Sequence, residues 1–191
     1  DPSNPPSPPQ ASFTYRPLRP HKMETITFDA SGSSAEGFND TIVSYEWNFG
    51  DGTPPVKNTD DPTITHFFTE LQTYTVSLNV TDSEGLWSFV SKPVKIYPPD
   101  PPIAKFTWLT QPIVNKEVIF DASGSLPGWN GTHYIPIATY RWDFGGGNIT
   151  TVSIPTIRHT FTAIGNQTVT LTVTDSSGLS DTTSRIVGVL E

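Results

Sequence analysis

The sequence is an internal duplication, and this feature constrains the fold more than any other. Three motifs return in the same order about 92 residues further along the chain. They are Phe28-Asp-Ala-Ser-Gly-Ser33 with Phe120-Asp-Ala-Ser-Gly-Ser125, Tyr45-Glu-Trp-Asn-Phe-Gly-Asp-Gly52 with Tyr140-Arg-Trp-Asp-Phe-Gly-Gly-Gly147, and Val76-Ser-Leu-Asn-Val-Thr-Asp82 with Val169-Thr-Leu-Thr-Val-Thr-Asp175. A repeat this complete predicts two copies of one small domain.

A proline-rich stretch precedes each copy, because Pro5-Pro-Ser-Pro-Pro9 matches Pro98-Pro-Asp-Pro-Pro102. We therefore predict a leading segment or linker at residues 1–10, a first domain at 11–97, a linker at 98–103 and a second domain at 104–191. A proline spacer has little use at a free end, so we expect more polypeptide or a neighbouring subunit before Asp1. Each copy has enough residues for a small independent core.

Composition excludes several classes of function. The chain has no cysteine, so neither disulfides nor thiolate metal sites are available, and any bound metal must be a hard cation held by oxygen. A net charge of −8 with eleven Lys and Arg argues against nucleic acid and anionic membrane surfaces, which need a basic patch. No apolar run approaches the roughly 18 residues that predict membrane insertion.

Apolar and polar residues alternate with period two, which predicts an all-β fold. We expect strands at Ala11–Tyr15, Glu24–Asp29, Ile42–Phe49, Thr63–Phe67, Thr73–Thr81 and Phe89–Ile96, and in the second copy at Ala104–Trp108, Lys116–Asp121, Ile137–Phe144, Thr156–Phe161, Gln167–Thr174 and Thr182–Leu190. The core faces of the third strands are predicted to be Val43, Tyr45, Trp47 and Phe49, and Ala138, Tyr140, Trp142 and Phe144. Short strands separated by frequent turns are typical of an immunoglobulin-like β-sandwich, here two in tandem.

These motifs, with His-x-Phe and Tyr-Thr-Val-x-Leu-x-Val-Thr-Asp, resemble the PKD domain, the polycystic kidney disease repeat. The resemblance covers nearly the whole chain, twice. It implies non-catalytic extracellular modules, which occur in archaeal and bacterial surface proteins, beside secreted proteases and chitinases, and in large animal membrane proteins. The second copy departs from the pattern at Gly146, which replaces Asp51, and at Gln167, which replaces Tyr74.

Four aspartates are candidate calcium ligands. Asp29 and Asp121 end the second strand of each copy, and Asp82 and Asp175 end the sixth. In an immunoglobulin-like topology these ends share one pole, where carboxylates, hydroxyls and carbonyls can surround a Ca²⁺ ion. The alternative is that each aspartate only caps a turn by accepting backbone N–H bonds. No cofactor is required by either interpretation.

Other candidate sites lie on the surface. Five Asn-x-Thr sequences predict N-glycosylation at Asn39, Asn79, Asn130, Asn148 and Asn166. Trp129 and Tyr134, in a longer loop of the second copy, are expected either to stack on a sugar or to pack against a neighbouring domain.

No arrangement of residues predicts catalysis. His66 and His159 occupy equivalent positions, which favours a structural hydrogen bond over an enzymatic role, and no nucleophile, acid pair or zinc spacing is found. The chain is therefore predicted not to be an enzyme. The leading hypothesis is a structural or adhesive rod of a secreted surface or filament protein, able to polymerise through contacts with identical subunits. The alternative is a carbohydrate- or protein-binding accessory region of a secreted hydrolase.

Overall fold

The computed structural model describes residues 7–36 and 39–191 and divides the chain into two compact units, Asp1–Pro98 and Pro99–Glu191. Part of the predicted leading segment, residues 1–6, lies outside the described residues. The described residues contain strands and turns and no helix, so none could cross a membrane as a helix. Each unit is a sandwich of a three-stranded and a four-stranded antiparallel sheet, which confirms the predicted tandem immunoglobulin-like fold.

The described residues of the first unit form seven strands. They are β1 (Thr14–Arg16), β2 (Ile26–Asp29), β3 (Ile42–Asn48), β4 (Val56–Asn58), β5 (Thr63–His66), β6 (Thr73–Asp82) and β7 (Trp87–Lys95). One sheet has the order β1-β2-β5 and the other the order β4-β3-β6-β7.

The second unit repeats this arrangement with one addition. Its strands are β8 (Thr107–Trp108), β9 (Glu117–Asp121), β10 (Gly128–Trp129), β11 (Tyr134–Ile135), β12 (Ile137–Asp143), β13 (Ile149–Val152), β14 (Thr156–Thr160), β15 (Gly165–Asp175) and β16 (Ser180–Val189). The sheets have the orders β14-β9-β8 and β13-β12-β15-β16, and the added strands β10 and β11 form a hairpin.

The two cores consist of equivalent residues. In the first unit Trp47 is fully buried between Phe13 and Phe28, with ring centroids 5.3 and 5.8 Å away. In the second unit Trp142 is buried between Phe106 and Phe120 at 5.2 and 5.8 Å. The duplication in the sequence is therefore a duplication of the core packing.

The predicted core face of the third strand is wrong at one position in each unit. Val43 is 41% exposed and Ala138 is also exposed, whereas Ser44 is buried. The cause is a register shift in the pairing of β3 with β6 between Ile42 and Ser44, which is repeated in β12. Such a bulge rotates the strand locally, so alternation no longer predicts which side chains face inward.

Strand bounds differ most at the first strand and in the edge strands. The predicted strand Ala11–Tyr15 pairs in the sheet only from Thr14, and Ala11 and Ser12 bond instead to side-chain oxygens of Ser88 and Ser33. The short strands β4 and β13 were not predicted, because three or four residues after a turn are too few to show a period.

The turn after β3 requires glycine at position 50 more strictly than the equivalent turn of the second unit requires it at position 145. Gly50 has φ of +70°, and a Cβ there would lie 2.5 Å from the Thr75 carbonyl oxygen. Gly145, its counterpart, has φ of +84° but no atom within 4 Å of the same position. The two glycines share the backbone strain and differ in the space around them.

This pair provides a matched test of the fold. We expect Gly145→Ala to destabilise the second unit by about 1–2 kcal/mol, the cost of a left-handed conformation for an L-residue. Gly50→Ala should cost the first unit more, because backbone must also move away from the new methyl group. Urea denaturation of the two variants measures both free energies. Equal losses would contradict the close approach of Thr75.

Candidate functional site

The carboxylate of Asp82 is the most buried acidic group of the first unit, at 1% exposure. Its Oδ1 accepts the N–H groups of Glu84 at 3.0 Å and Leu86 at 2.8 Å, and so closes the turn between β6 and β7. Its Oδ2 is buried and has no hydrogen-bond partner among the described residues. A buried carboxylate oxygen is stable only when water, a donor or a cation contacts it.

The neighbour of Asp82 is Asp40, which the sequence analysis did not single out. Asp40 Oδ1 accepts the Thr41 N–H at 2.8 Å and both the N–H and the hydroxyl of Ser83. The Ser83 hydroxyl is the main cause that lowers the pKa of Asp40, and contact with the Asp82 carboxyl also contributes. Asp40 Oδ2 is buried and, like Asp82 Oδ2, lacks a hydrogen-bond partner. Two carboxyl groups thus meet with one unsatisfied oxygen each.

Asp29 and Asp121 have a different environment. Asp29 Oδ1 accepts the Ser31 N–H at 2.8 Å, and Asp121 Oδ1 accepts the Ser123 N–H at the same distance. The bond from Ser31 lowers the pKa of Asp29, and the charge of Asp61 opposes this shift. These are the contacts of a turn cap, so the structure brings Asp82 together with Asp40 and leaves Asp29 at its own turn.

In the second unit Asp175 repeats the geometry of Asp82. Its Oδ1 accepts the N–H groups of Ser177 and Leu179, and its buried Oδ2 has no hydrogen-bond partner among the described residues. A Cβ at Gly128 would lie 2.6 Å from Asp175 Oδ2 and 2.8 Å from the Asp100 carbonyl oxygen, so both oxygens are directed at the same small space. The counterpart of Asp40 is Ile135, which is buried and apolar.

These oxygens are of the type that a hard cation prefers. Ca²⁺ prefers carboxylate and carbonyl oxygens. Within residues 7–36 and 39–191 no group of three or more His, Cys, Asp or Glu side chains is placed to hold a metal. The first unit offers two carboxylates and the second offers one carboxylate and a carbonyl oxygen.

The five glycosylation candidates lie on loops and outer strand faces. Asn39, Asn148 and Asn166 are exposed, whereas Asn79 and Asn130 are half-buried. Asn130 Oδ1 accepts N–H bonds from Thr132 and His133, which shape the tip of the β10–β11 hairpin. Modification of these residues stays a prediction.

The loop predicted to bind sugar or a neighbour is the β10–β11 hairpin. Tyr134 is 69% exposed, whereas Trp129 is half-buried with its ring 5.0 Å from that of Tyr134. The backbone of Trp129 exchanges two hydrogen bonds with Asp100, at 2.7 and 3.1 Å. The hairpin therefore holds the segment that enters the second unit, and Tyr134 is its outward aromatic group.

The repeated histidines have the predicted structural role in only one unit. His66 Nε2 lies 2.7 Å from Asp51 Oδ2, and its ring stacks on Phe49 at 3.9 Å. His159 stacks on Phe144 at the same distance, but Gly146 stands where the first unit has Asp51. Burial lowers the pKa of His159, because the charged imidazole has no carboxylate to compensate its lost hydration.

Comparison with known proteins agrees with the fold and the motifs. The PKD domain family matches residues 6–95 and again residues 99–189. The chain therefore belongs to the PKD domain family, with two domains in tandem.

Curated relatives match over short stretches. Collagenase ColA of Bacillus cereus is 44% identical over 62 residues, which is 32% of this chain and 6% of that protein. Pre-pro-metalloprotease PrtV of Vibrio cholerae is 45% identical over 53 residues, or 28% of this chain and 6% of that protein. The chain thus spans only a small fraction of these relatives.

Solved structures give matches of the same kind. The PKD1 domain of the Vibrio cholerae metalloprotease PrtV is 28% identical and aligns with a TM-score of 0.38, covering 48% of this chain and 99% of that one. A structure of carbohydrate-binding modules from the β-sandwich superfamily is 20% identical with a TM-score of 0.44, covering 98% of this chain and 87% of that one.

The difference between the two histidines predicts a pH dependence confined to the second unit. The folded pKa of His159 lies below its usual 6.5, so the unfolded chain takes up a proton first. The free energy of unfolding of the second unit should therefore fall as the pH drops from about 7.5 to 5. His159→Phe keeps a ring against Phe144 and should remove this part of the fall.

Thermal denaturation across that pH range provides the measurement. His66→Phe is the matched control, and it should destabilise the first unit at neutral pH because it leaves Asp51 without its partner. A pH response of the second unit that is unchanged in His159→Phe would contradict the assignment.

Proposed function

We propose that this chain is a non-catalytic spacer of an extracellular protein, in which two sandwiches are joined by a stiff proline pair and stabilised by calcium. The observation that carries the proposal is the shortness of the joint between the two units. The relatives support the extracellular location, and the unsatisfied aspartate oxygens support stabilisation by calcium.

Backbone hydrogen bonds tie both ends of the joint to their own unit. The Tyr97 N–H donates to the Pro20 carbonyl at 2.9 Å, which fixes the end of the first unit. The Asp100 N–H donates to the Trp129 carbonyl at 2.7 Å, and Ile103 and Leu126 exchange two bonds at 2.9 Å within the second unit. Only Pro98 and Pro99 stand between these bonded residues.

Two prolines are a suitable joint for a spacer. The ring of each proline fixes φ near −65°, and proline-rich segments stay extended instead of folding back. Because the joint consists of Pro98 and Pro99, it has few free backbone dihedral angles. Holding the joint extended therefore costs little conformational entropy. Repeated along a longer protein, such units would form a rod, as in a surface or filament protein that contacts identical subunits.

The relatives favour a different kind of parent protein for the same spacer. Their names are those of a collagenase and a pre-pro-metalloprotease, so an accessory region of a secreted protease is the alternative parent protein. Both settings are extracellular. The exposed Tyr134 would then be available for a protein or glycan partner.

Calcium binding follows from the unsatisfied oxygens at the acidic pole, by which we mean Asp40 and Asp82 in the first unit and Asp175 in the second. The residues of the acidic pole would supply the anionic ligands, and carbonyls and water would complete the six to eight oxygens that Ca²⁺ takes. A bound ion would stabilise the folded state by mass action and tie together the loops that precede β3 and follow β6.

Calcium titration tests the acidic pole. Saturating Ca²⁺ should raise the melting temperature of the full chain relative to chelator, with a gain of about 2.7 kcal/mol at 100 times the dissociation constant. Asp82→Asn keeps the oxygen that caps the turn but removes the charge, so it should abolish most of the gain in the first unit. Asp40→Asn should do the same.

Asp29→Asn is the matched control. It preserves an oxygen for the Ser31 N–H and should leave the calcium response intact. A wild-type chain whose melting temperature is the same in calcium and in chelator would contradict the ion site.

The joint is tested by a distance measurement between two spin labels. Because the chain has no cysteine, Lys57→Cys and Thr150→Cys, both at exposed positions, would carry the only labels. We expect a narrow distance distribution in the otherwise native chain and a broad one after Pro98→Gly with Pro99→Gly. Equally broad distributions in both proteins would overturn the spacer function.

A further inference from the structure

The outer face of β7 carries two aromatic side chains that are largely uncovered by the described residues of the first unit. Trp87 is 61% exposed and Phe89 is 68% exposed. They are two residues apart on one strand, so they project from the same face of the sheet. Large exposed aromatic groups side by side are unfavourable in water and indicate that another group packs on them.

A glycosylation sequence lies beside these rings, on the neighbouring strand β6. In the pairing of β6 with β7, Asn79 is opposite Phe89 and Thr81 is opposite Trp87. Opposite residues of an antiparallel pair have Cβ atoms about 4.5–5.5 Å apart and share a face. The asparagine and the threonine of one Asn-x-Thr sequence are therefore each beside one of the two exposed rings.

The side chain of Asn79 is half-buried on the outer face of β6. Its Oδ1 is buried and has no hydrogen-bond partner among the described residues. The amide nitrogen of an asparagine side chain is the atom that carries an N-linked sugar. Asn79 and Phe89 also line one shallow cleft together with Glu46, whose carboxylate can accept hydrogen bonds from sugar hydroxyls.

The second unit is an internal control for this arrangement. At the same four positions it has Thr172 opposite Thr182 and Thr174 opposite Ser180. The Thr172 and Thr182 hydroxyls form a hydrogen bond with each other at 2.8 Å, so this polar surface needs no added group to cover it. The asparagine of the sequence and both aromatic rings are thus absent together.

We propose that an N-linked glycan on Asn79 packs across the rings of Phe89 and Trp87 and forms the outer layer of the first unit. The C–H face of a pyranose ring is apolar and matches the face of an aromatic ring, while its hydroxyls remain in water. Attachment at Asn79 gives the sugar a high effective concentration at these rings, which a free saccharide lacks. The inference rests on the extracellular placement proposed above.

The experiment compares the full chain secreted from a host that N-glycosylates with the same chain made in a host that does not. Mass spectrometry of proteolytic peptides should show that Asn79 is occupied. The melting temperature of the first unit should be higher in the glycosylated chain by on the order of 4 °C, as expected for one ring contact in a small domain. Thr81→Ala removes the glycosylation sequence and should abolish this gain.

Two further variants distinguish a contact between the glycan and the two rings from a general stabilising effect of glycosylation. Phe89→Ser with Trp87→Ser keeps the glycosylation sequence but should abolish the gain. Asn166 is the matched control sequence, because it is exposed on the equivalent strand β15 and lies opposite Gly188, which offers no ring. Asn166→Gln should leave the melting temperature of both units unchanged.

Three outcomes would overturn the proposal: an unoccupied Asn79, a gain that persists without the two rings, or binding of free polysaccharide by the rings of the unglycosylated chain. None of these outcomes bears on the extracellular placement, because a secreted protein need not be glycosylated. The spacer function is judged separately by the label distances across Pro98 and Pro99, which do not depend on the glycan.

Discussion

One buried tryptophan in each unit holds the two sheets of the sandwich together. Trp47 lies in the four-stranded sheet and contacts Phe28 of the three-stranded sheet, and Trp142 and Phe120 repeat this contact. Truncating a buried ring of this size typically costs about 3–5 kcal/mol, a large share of the stability of a small domain. Both indole N–H groups are buried without a hydrogen-bond partner among the described residues, at a cost of about 1–3 kcal/mol each. The packing therefore outweighs an unsatisfied donor in both units.

Since the cores are equivalent, the differences between the units lie at their surfaces. In the first unit Asp51 pairs with His66. Tyr74 covers Phe68, with its ring 4.1 Å from that of Phe68. Their replacements Gly146 and Gln167 leave a cleft beside His159 in the second unit. The interior is therefore the same in both copies, whereas the surroundings of the repeated histidine differ.

The sequence was sufficient to predict the fold, because duplication and alternation act along the chain. It correctly placed Trp47, Phe49, Trp142 and Phe144 in the cores. It was wrong at Val43 and Ala138, because a bulge arises from the pairing with another strand and leaves no local pattern. The partnership of Asp40 with Asp82 could not be predicted for a similar reason. Two loops that are distant in sequence meet there only after β3 and β6 have paired.

The two interpretations of the aspartates, as turn caps or as calcium ligands, are compatible at Asp82 and Asp175 because a carboxylate has two oxygens. At both residues Oδ1 accepts two backbone N–H bonds from the following turn, and these bonds fix the direction of Oδ2. The turn cap therefore orients the oxygen that would face an ion, so that little entropy is lost when the ion binds. Asp29 and Asp121 accept the capping bonds of Ser31 and Ser123, and their role as calcium ligands stays a prediction. The four aspartates all stand at strand ends, but Asp82 and Asp175 are distinguished by a buried second oxygen without a hydrogen-bond partner among the described residues.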